Sequence, residues 1–144
     1  MQFYTSYFAQ MRKFPPNLVG LSTAHWEPKW LRPHRSQNGI IWLPIPSLKP
    51  GSGCANLCDG KCSIRTAPSC AFLQAYYNQL RQLNMQKFLQ EAERLRRVIT
   101  KQEGFSDIDF AILVYEKPNN PCSERTIIQK WFAENNISIK EWSD

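Results

Sequence analysis

The sequence predicts a single α/β domain in which helices pack on a mostly parallel sheet, and three observations predict it. The chain of 144 residues has the length of one domain, and 42% hydrophobic against 21% charged residues is an ordinary globular composition. Several apolar runs are short and continuous, which is typical of parallel strands covered on both faces. They alternate with segments of helical periodicity in the order β-β-β-α-α-β-α-β, which favours a layered α/β fold.

Three strands are predicted in the N-terminal third of the chain. Residues 2–8 are rich in aromatic side chains and residues 18–22 form a short apolar run, so each predicts a strand. Residues 40–43 predict a third extended segment. Because Pro44 and Pro46 follow it, we expect this segment at an edge or end of the sheet and not in its centre.

Two helices are predicted next. Ser69 is a candidate N-cap, and apolar residues at helical spacing follow it as far as Leu83. After Asn84 a longer apolar stripe predicts a second helix, which Gly104 ends. The stripe consists of Met85, Phe88, Leu89, Ala92, Leu95, Val98 and Ile99. We interpret the charged opposite face as solvated, with nucleic-acid contact as the alternative.

The C-terminal part predicts a strand, a helix and a last strand. Residues 108–115 form the longest run with β-branched residues, so we expect them at the centre of the sheet. A helix is predicted over 123–135, and the alternating residues 137–142 predict the final strand.

The charge is unevenly distributed along the chain. Residues 1–99 hold 13 basic and 4 acidic side chains, a net +9, whereas residues 100–144 hold 5 and 8, a net −3. A basic body indicates an anionic partner, and a lopsided solvated surface is the other interpretation. We find neither a signal-peptide pattern nor an apolar run of membrane-spanning length, so we expect a cytoplasmic protein.

Four of the five cysteines lie close together in residues 47–70, a segment rich in Pro, Gly and Ser that predicts a loop inserted into the domain. Cys54, Cys58, Cys62 and Cys70 have the pattern C-x3-C-x3-C-x7-C. In a reducing compartment, four clustered thiols at these short spacings favour a structural zinc ion. An iron–sulfur cluster uses the same ligands and is the lesser alternative, and free thiols or disulfides are the others.

Ligands of a parallel sheet bind beyond the carboxyl ends of its strands, and three segments of this chain fit that position. They are residues 4–7, 23–26 and 115–125. The candidate ligand-binding residues in them are Thr5, Ser6, Tyr7, His25, Trp26, Lys117, Cys122, Ser123 and Arg125. Trp26, Trp30 and Trp42 alternate with basic residues, a pattern that either stacks a base or forms a small core under the loop.

The third of these segments leads into a helix N-terminus, where free N–H groups favour an anion. Arg125 is placed to hold phosphate or carboxylate oxygens in a two-pronged contact, and Cys122 is a candidate nucleophile. The alternative is that Ser123 simply caps the helix, Glu124 complements its dipole and Cys122 is a packing residue.

Two stretches carry a resemblance to a known family. Residues 4–9 (YTSYFA) and 113–118 (LVYEKP), with Cys122 close behind and Trp131 and residues 139–142 (IKEW) further on, resemble the family called domain of unknown function 488, above all its short phage-borne members. The resemblance implies a Rossmann-like three-layer α/β fold and no settled activity. Members usually have Cys-His-Arg where this chain has residues 122–125 (CSER), so it implies anion binding through Arg125 without that histidine.

The first functional hypothesis is a phage-type accessory protein that binds a nucleotide-like or other phosphorylated ligand and sequesters or alters a host nucleotide signal. It would then act in the cytoplasm of the host cell. One alternative is a zinc-stapled nucleic-acid-binding protein, and another is an inhibitor that docks on an acidic host protein. Catalysis with Glu116 as general base and Cys122 as nucleophile ranks behind these hypotheses, so whether the protein is an enzyme stays open.

Overall fold

A computed structural model describes residues 1–24, 26–31, 35–36, 38–51, 70–120 and 123–144. These residues form a five-stranded sheet of order β3-β2-β4-β1-β5 in which every pairing is parallel. The strands are β1 (Phe3–Tyr7), β2 (Leu18–Ser22), β3 (Trp42–Pro44), β4 (Asp109–Val114) and β5 (Lys140–Glu141). The predicted α/β fold with a mostly parallel sheet is therefore confirmed.

The two faces of the sheet are covered differently. Three α-helices, α1 (Ala71–Arg81), α2 (Met85–Glu103) and α3 (Glu124–Glu134), pack on the face that carries Val19, Leu21 and Ile112. The other face carries Leu18 and Leu113 and is covered by a 3-10 helix (Phe8–Lys13) and by residues that follow β2. We call these the helix face and the loop face. Alternate strand residues supply the two cores because successive side chains of a strand point to opposite faces.

β4 occupies the centre of the sheet, as its composition predicts, and pairs with β1 and β2. Its side chains are buried from Phe110 to Val114. Gly20 of β2 allows close packing here, because a Cβ at this position would lie 2.7 Å from Cδ1 of Leu113 and 3.3 Å from Cβ of Trp42. Trp42 belongs to this core. Of the two interpretations of the tryptophan pattern, base stacking or a small core, the small core therefore holds for Trp42.

The long helix α2 begins and ends as its sequence predicts. The Asn84 side chain accepts a hydrogen bond from the Lys87 N–H, and Gly104 ends the helix with a left-handed φ of 72°. The predicted apolar stripe is buried or half-buried except at Val98, which is 42% exposed. Arg94 on the outer face pairs with Glu91, and Arg96 and Arg97 both pair with Glu93, so acidic neighbours balance much of the basic charge.

The structure differs from the sequence prediction at the last strand and at the N-cap of α1. The last strand is limited to Lys140–Glu141, because Ile137 and Ile139 pack against the core of the helix face before pairing begins. The N-cap position of α1 is occupied by Cys70 and not by Ser69.

Residues 52–69 lie outside the described residues, so the cysteine-rich insertion over 47–70 stays a prediction. In the described ranges, no helix is long and apolar enough to cross a bilayer.

Candidate functional site

The carboxyl ends of all five strands meet at one edge of the sheet, which we call the carboxyl edge. The chain leaves β1 towards the loop face, where the 3-10 helix lies, and leaves β4 towards the helix face, where α3 lies. Because these neighbouring strands send their connections to opposite faces, the sheet has its topological switch point between them, where ligands of open parallel sheets usually bind. Of the segments predicted to bind ligand, residues 4–7 belong largely to β1, residues 115–120 follow β4, and Thr23, Ala24 and Trp26 follow β2 at the same edge.

On the helix face, Thr5 of β1 is buried and fully engaged with the protein. Its hydroxyl donates to Oε1 of Glu141 over 2.8 Å and accepts a hydrogen bond from Nε2 of Gln129, also over 2.8 Å. These contacts tie the end of β1 to β5 and α3. Thr5 therefore orients Glu141, and its hydroxyl is not directed at an incoming ligand.

Arg125 makes the densest set of contacts at this edge. Its side chain is only 5% exposed, and its Nε donates to Oε1 of Glu141 over 2.6 Å. Its terminal nitrogens donate to the backbone carbonyls of Glu116 (2.6 Å) and Lys117 (3.2 Å). The guanidinium thus holds the β4–α3 loop against β5. The two-pronged grip predicted for a ligand anion is used here on the protein's own carboxylate and carbonyls.

Glu116 and Glu124 form a carboxyl pair beside this arginine. The two carboxyl groups lie close enough to interact, so their ionised forms repel each other. Burial of the Glu124 carboxyl and the negative charge of Glu116 raise the pKa of Glu124 to about 7, although Arg125 opposes the shift. A carboxyl whose pKa lies near neutral pH is able to donate and accept protons in a reaction.

The loop-face side of the edge is aromatic and exposed. Tyr115 follows β4, is 50% exposed, and donates a hydrogen bond from its hydroxyl to the carbonyl of Trp26. Trp26 follows β2 and exposes 83% of its surface. Burial, and then the negative charge of Glu27, raise the pKa of Tyr115. Glu27 in turn accepts a 3.2 Å hydrogen bond from the Ser22 hydroxyl.

The remaining residues predicted to bind a ligand lie in different surroundings. Ser123 is buried and caps α3, because its Oγ accepts from the N–H of Arg125 over 3.2 Å. Ser6 is buried on the loop face, and among the described residues its hydroxyl has no hydrogen-bond partner. Tyr7 is half-buried at the end of β1, and Lys117 is exposed. His25 and Cys122 lie outside the described residues.

The sequence interpretation missed three acidic or aromatic members of this edge. The sequence places Glu141 in the last strand and in the family resemblance, Glu124 as a complement to the helix dipole, and Tyr115 within the segment 115–125, but none of the three is among the candidate ligand-binding residues. The available signal was positional: all three stand at the carboxyl end of a predicted strand or in the first turn of the following helix. Glu141 is 136 residues from Thr5, so their pairing depends on strand order.

The metal prediction concerns a different part of the chain. Cys70 is half-buried at the start of α1, while Cys54, Cys58 and Cys62 lie outside the described residues. In the part of the chain that is described, no group of three or more His, Cys, Asp or Glu side chains is arranged to hold a metal ion.

The chain was compared with protein-family models, with curated proteins and with solved structures. None of the three comparisons found a match.

Proposed function

We propose that the carboxyl edge binds a nucleotide-like, phosphorylated ligand. The observation that supports the proposal is that Trp26 and Tyr115, both largely exposed, stand together where β2 and β4 end. Aromatic faces that are left open next to basic side chains are the usual platform on which nucleobases stack. The position agrees with the general rule that parallel sheets bind ligands beyond the carboxyl ends of their strands.

The phosphate end of the ligand is assigned to Lys117. This lysine is exposed, and the bond from Arg125 to its backbone carbonyl fixes the loop that carries it. The N-terminus of α3 is a poorer phosphate site than the sequence suggests, because Glu116 and Glu124 lie beside it and Ser123 already caps it. Two adjacent carboxyl groups would repel a phosphate placed there.

The carboxyl pair bears on whether the ligand is held or altered. With its raised pKa, Glu124 is a suitable general acid near neutral pH, and Glu116 is the candidate base beside it. These groups support proton transfer to a glycosidic or phosphate bond of a bound nucleotide. Membership of the domain of unknown function 488 family and a phage origin stay predictions.

The test is a thermal-shift and calorimetric survey of nucleoside mono-, di- and triphosphates. We expect at least one of them to raise the melting temperature and to bind measurably, since a ligand present at a hundred times its Kd stabilises a protein by about 2.7 kcal/mol. Lys117→Glu should weaken that binding. Lys101→Glu, in the last turn of α2, is the matched charge reversal and should leave binding unchanged. If no nucleotide at millimolar concentration shifts the melting temperature, the proposal is wrong.

The two alternatives have their own outcomes. Nucleic-acid binding receives less support than the net charge implies, because Glu91 and Glu93 pair with three arginines of α2. A gel shift at low salt that weakens steeply with added salt would favour it nonetheless. If the chain inhibits a host factor, one acidic host protein should co-purify with it and no nucleotide should.

For the cysteine-rich loop we keep the proposal of a structural zinc ion, with an iron–sulfur cluster as the alternative. What supports it is the spacing of the four cysteines. Elemental analysis of the purified protein distinguishes the two metals directly.

A further inference from the structure

A cleft of about 290 Å³ opens on the loop face, between the 3-10 helix Phe8–Lys13 and the residues that follow β2. Its apolar floor is formed by Phe8 and Met11, which are buried. Trp30 stands at its wall with 47% of its surface exposed, and the exposed Arg12 lines the cleft as well. An apolar floor, an open indole and a guanidinium suit a flat aromatic ring that carries a negatively charged substituent.

The far wall of the cleft is fixed by hydrogen bonds. The buried Ser36 hydroxyl accepts from the N–H groups of Asn38 (3.3 Å) and Ile40 (3.1 Å). The Asn38 amide donates over 3.1 Å to the carbonyl of Arg12, which joins this wall to the 3-10 helix. The two sides of the cleft are thus connected, so the cleft is formed before any ligand arrives.

The cleft lies beside the carboxyl edge. Phe8, which lines the cleft, directly follows β1, and its ring centroid lies 5.1 Å from that of Tyr115. Lys117 comes two residues after Tyr115, on the loop that leaves β4.

We propose that this cleft is the base-binding subsite, in which the ligand's nucleobase packs against Trp30 above Phe8 and Met11. The proposal rests on the proposed function and assigns the base to Trp30 in place of the more exposed Trp26. The reason is enclosure: Trp26 does not line this cleft, so a ring stacked on it would stay in contact with water on its other side. Arg12 lines the cleft, and its positive charge favours an anionic ligand.

The experiment measures how much the base adds to binding. Isothermal titration calorimetry compares the tightest-binding of the four common nucleoside 5′-monophosphates with ribose 5-phosphate, which lacks the base. The compared proteins are the wild type, Trp30→Leu, Trp30→Phe and Trp26→Leu. Stacking on one aromatic ring contributes about tenfold or more to affinity, so the wild type should prefer the nucleotide by at least that factor.

In Trp30→Leu the preference for the nucleotide should fall at least about tenfold while ribose 5-phosphate binds as before. Trp30→Phe keeps an aromatic face and should retain most of the preference, which separates stacking from a general loss of structure. Trp26→Leu tests the other exposed indole and should lower the preference less than Trp30→Leu does. An unchanged preference in Trp30→Leu, or a loss confined to Trp26→Leu, overturns the subsite while the proposed function stands. If neither compound binds the wild type, the proposed function itself has failed.

Discussion

The carboxyl pair makes a sharp prediction about stability and pH. Glu124→Gln replaces this carboxyl with a neutral amide of nearly the same shape. The pKa of Glu124 is about 7 in the folded protein against a reference of 4.5. The folded state therefore binds this proton more tightly than the unfolded state does. The resulting stabilisation is complete below pH 4.5 and is lost as the pH rises through 7.

The magnitude follows from the shift. A difference of one pKa unit corresponds to about 1.36 kcal/mol, so moving this pKa from 4.5 to 7 corresponds to about 3 kcal/mol between the two ends of the window. That is a large part of the roughly 5–15 kcal/mol by which a domain is usually stable. At pH 5 the wild type and Glu124→Gln should have similar free energies of unfolding. At pH 8 the variant should be more stable by up to about 3 kcal/mol, because it carries no second negative charge beside Glu116.

The assay is urea denaturation followed by circular dichroism at half-unit steps from pH 5 to pH 8. Other groups titrate in both proteins, so the quantity that matters is the difference between the two curves. Glu134→Gln, at the other end of α3 and exposed, is the matched control and should keep the wild-type pH dependence. Parallel curves for the wild type and Glu124→Gln across this range would refute the raised pKa of Glu124 and the acid–base role that depends on it.

Three further predictions concern the fold around the site. Arg125→Ala should cost about 3–5 kcal/mol in urea unfolding because it leaves the half-buried Glu141 without its cation. Arg94→Ala, at the exposed pair with Glu91, should cost much less, and equal costs would contradict the buried pair. Gly20→Ala should lower the free energy of unfolding by about 1–3 kcal/mol because it overpacks the centre of the sheet. Gly51→Ala is the control and should be nearly neutral, because its added Cβ meets only a side-chain oxygen at 3.4 Å. Elemental analysis should find one zinc ion per chain, and either chelation or Cys70→Ser should lower the melting temperature. If the protein melts at the same temperature with and without the chelator and contains no metal, the structural zinc ion is ruled out.

The strands were predictable because each carries its own local signal. Residues 18–22 form a continuous apolar run, and all five are buried in β2 as a strand covered on both faces requires. The edge position of β3 follows from Pro44, which has no N–H to give to a further neighbour. Asn84 and Gly104 bound α2 because cap geometry depends on residue type.

The shortening of the last strand was not predictable from its alternation. Ile137 and Ile139 have the period of a strand, yet they are used to pack the end of α3 against the helix-side core. Hydrophobic periodicity tells which side chains are covered but not by which partner. The same limit explains Val98, which has the helical period of the α2 stripe and still lies at its exposed margin.

The role of Arg125 shows most clearly what sequence alone leaves undecided. An arginine in the first turn of a helix, after a strand, has the chemistry to hold an anion, and the structure does supply it with one. The anion is Glu141, which strand order brings to the same edge although 16 residues separate the two side chains. Once that charge is neutralised inside the protein, the edge no longer attracts phosphate at the helix N-terminus. Among the described residues, Lys117 and the open rings of Trp26, Trp30 and Tyr115 remain available to a ligand, and so the most informative variants change those side chains while leaving Arg125 in place.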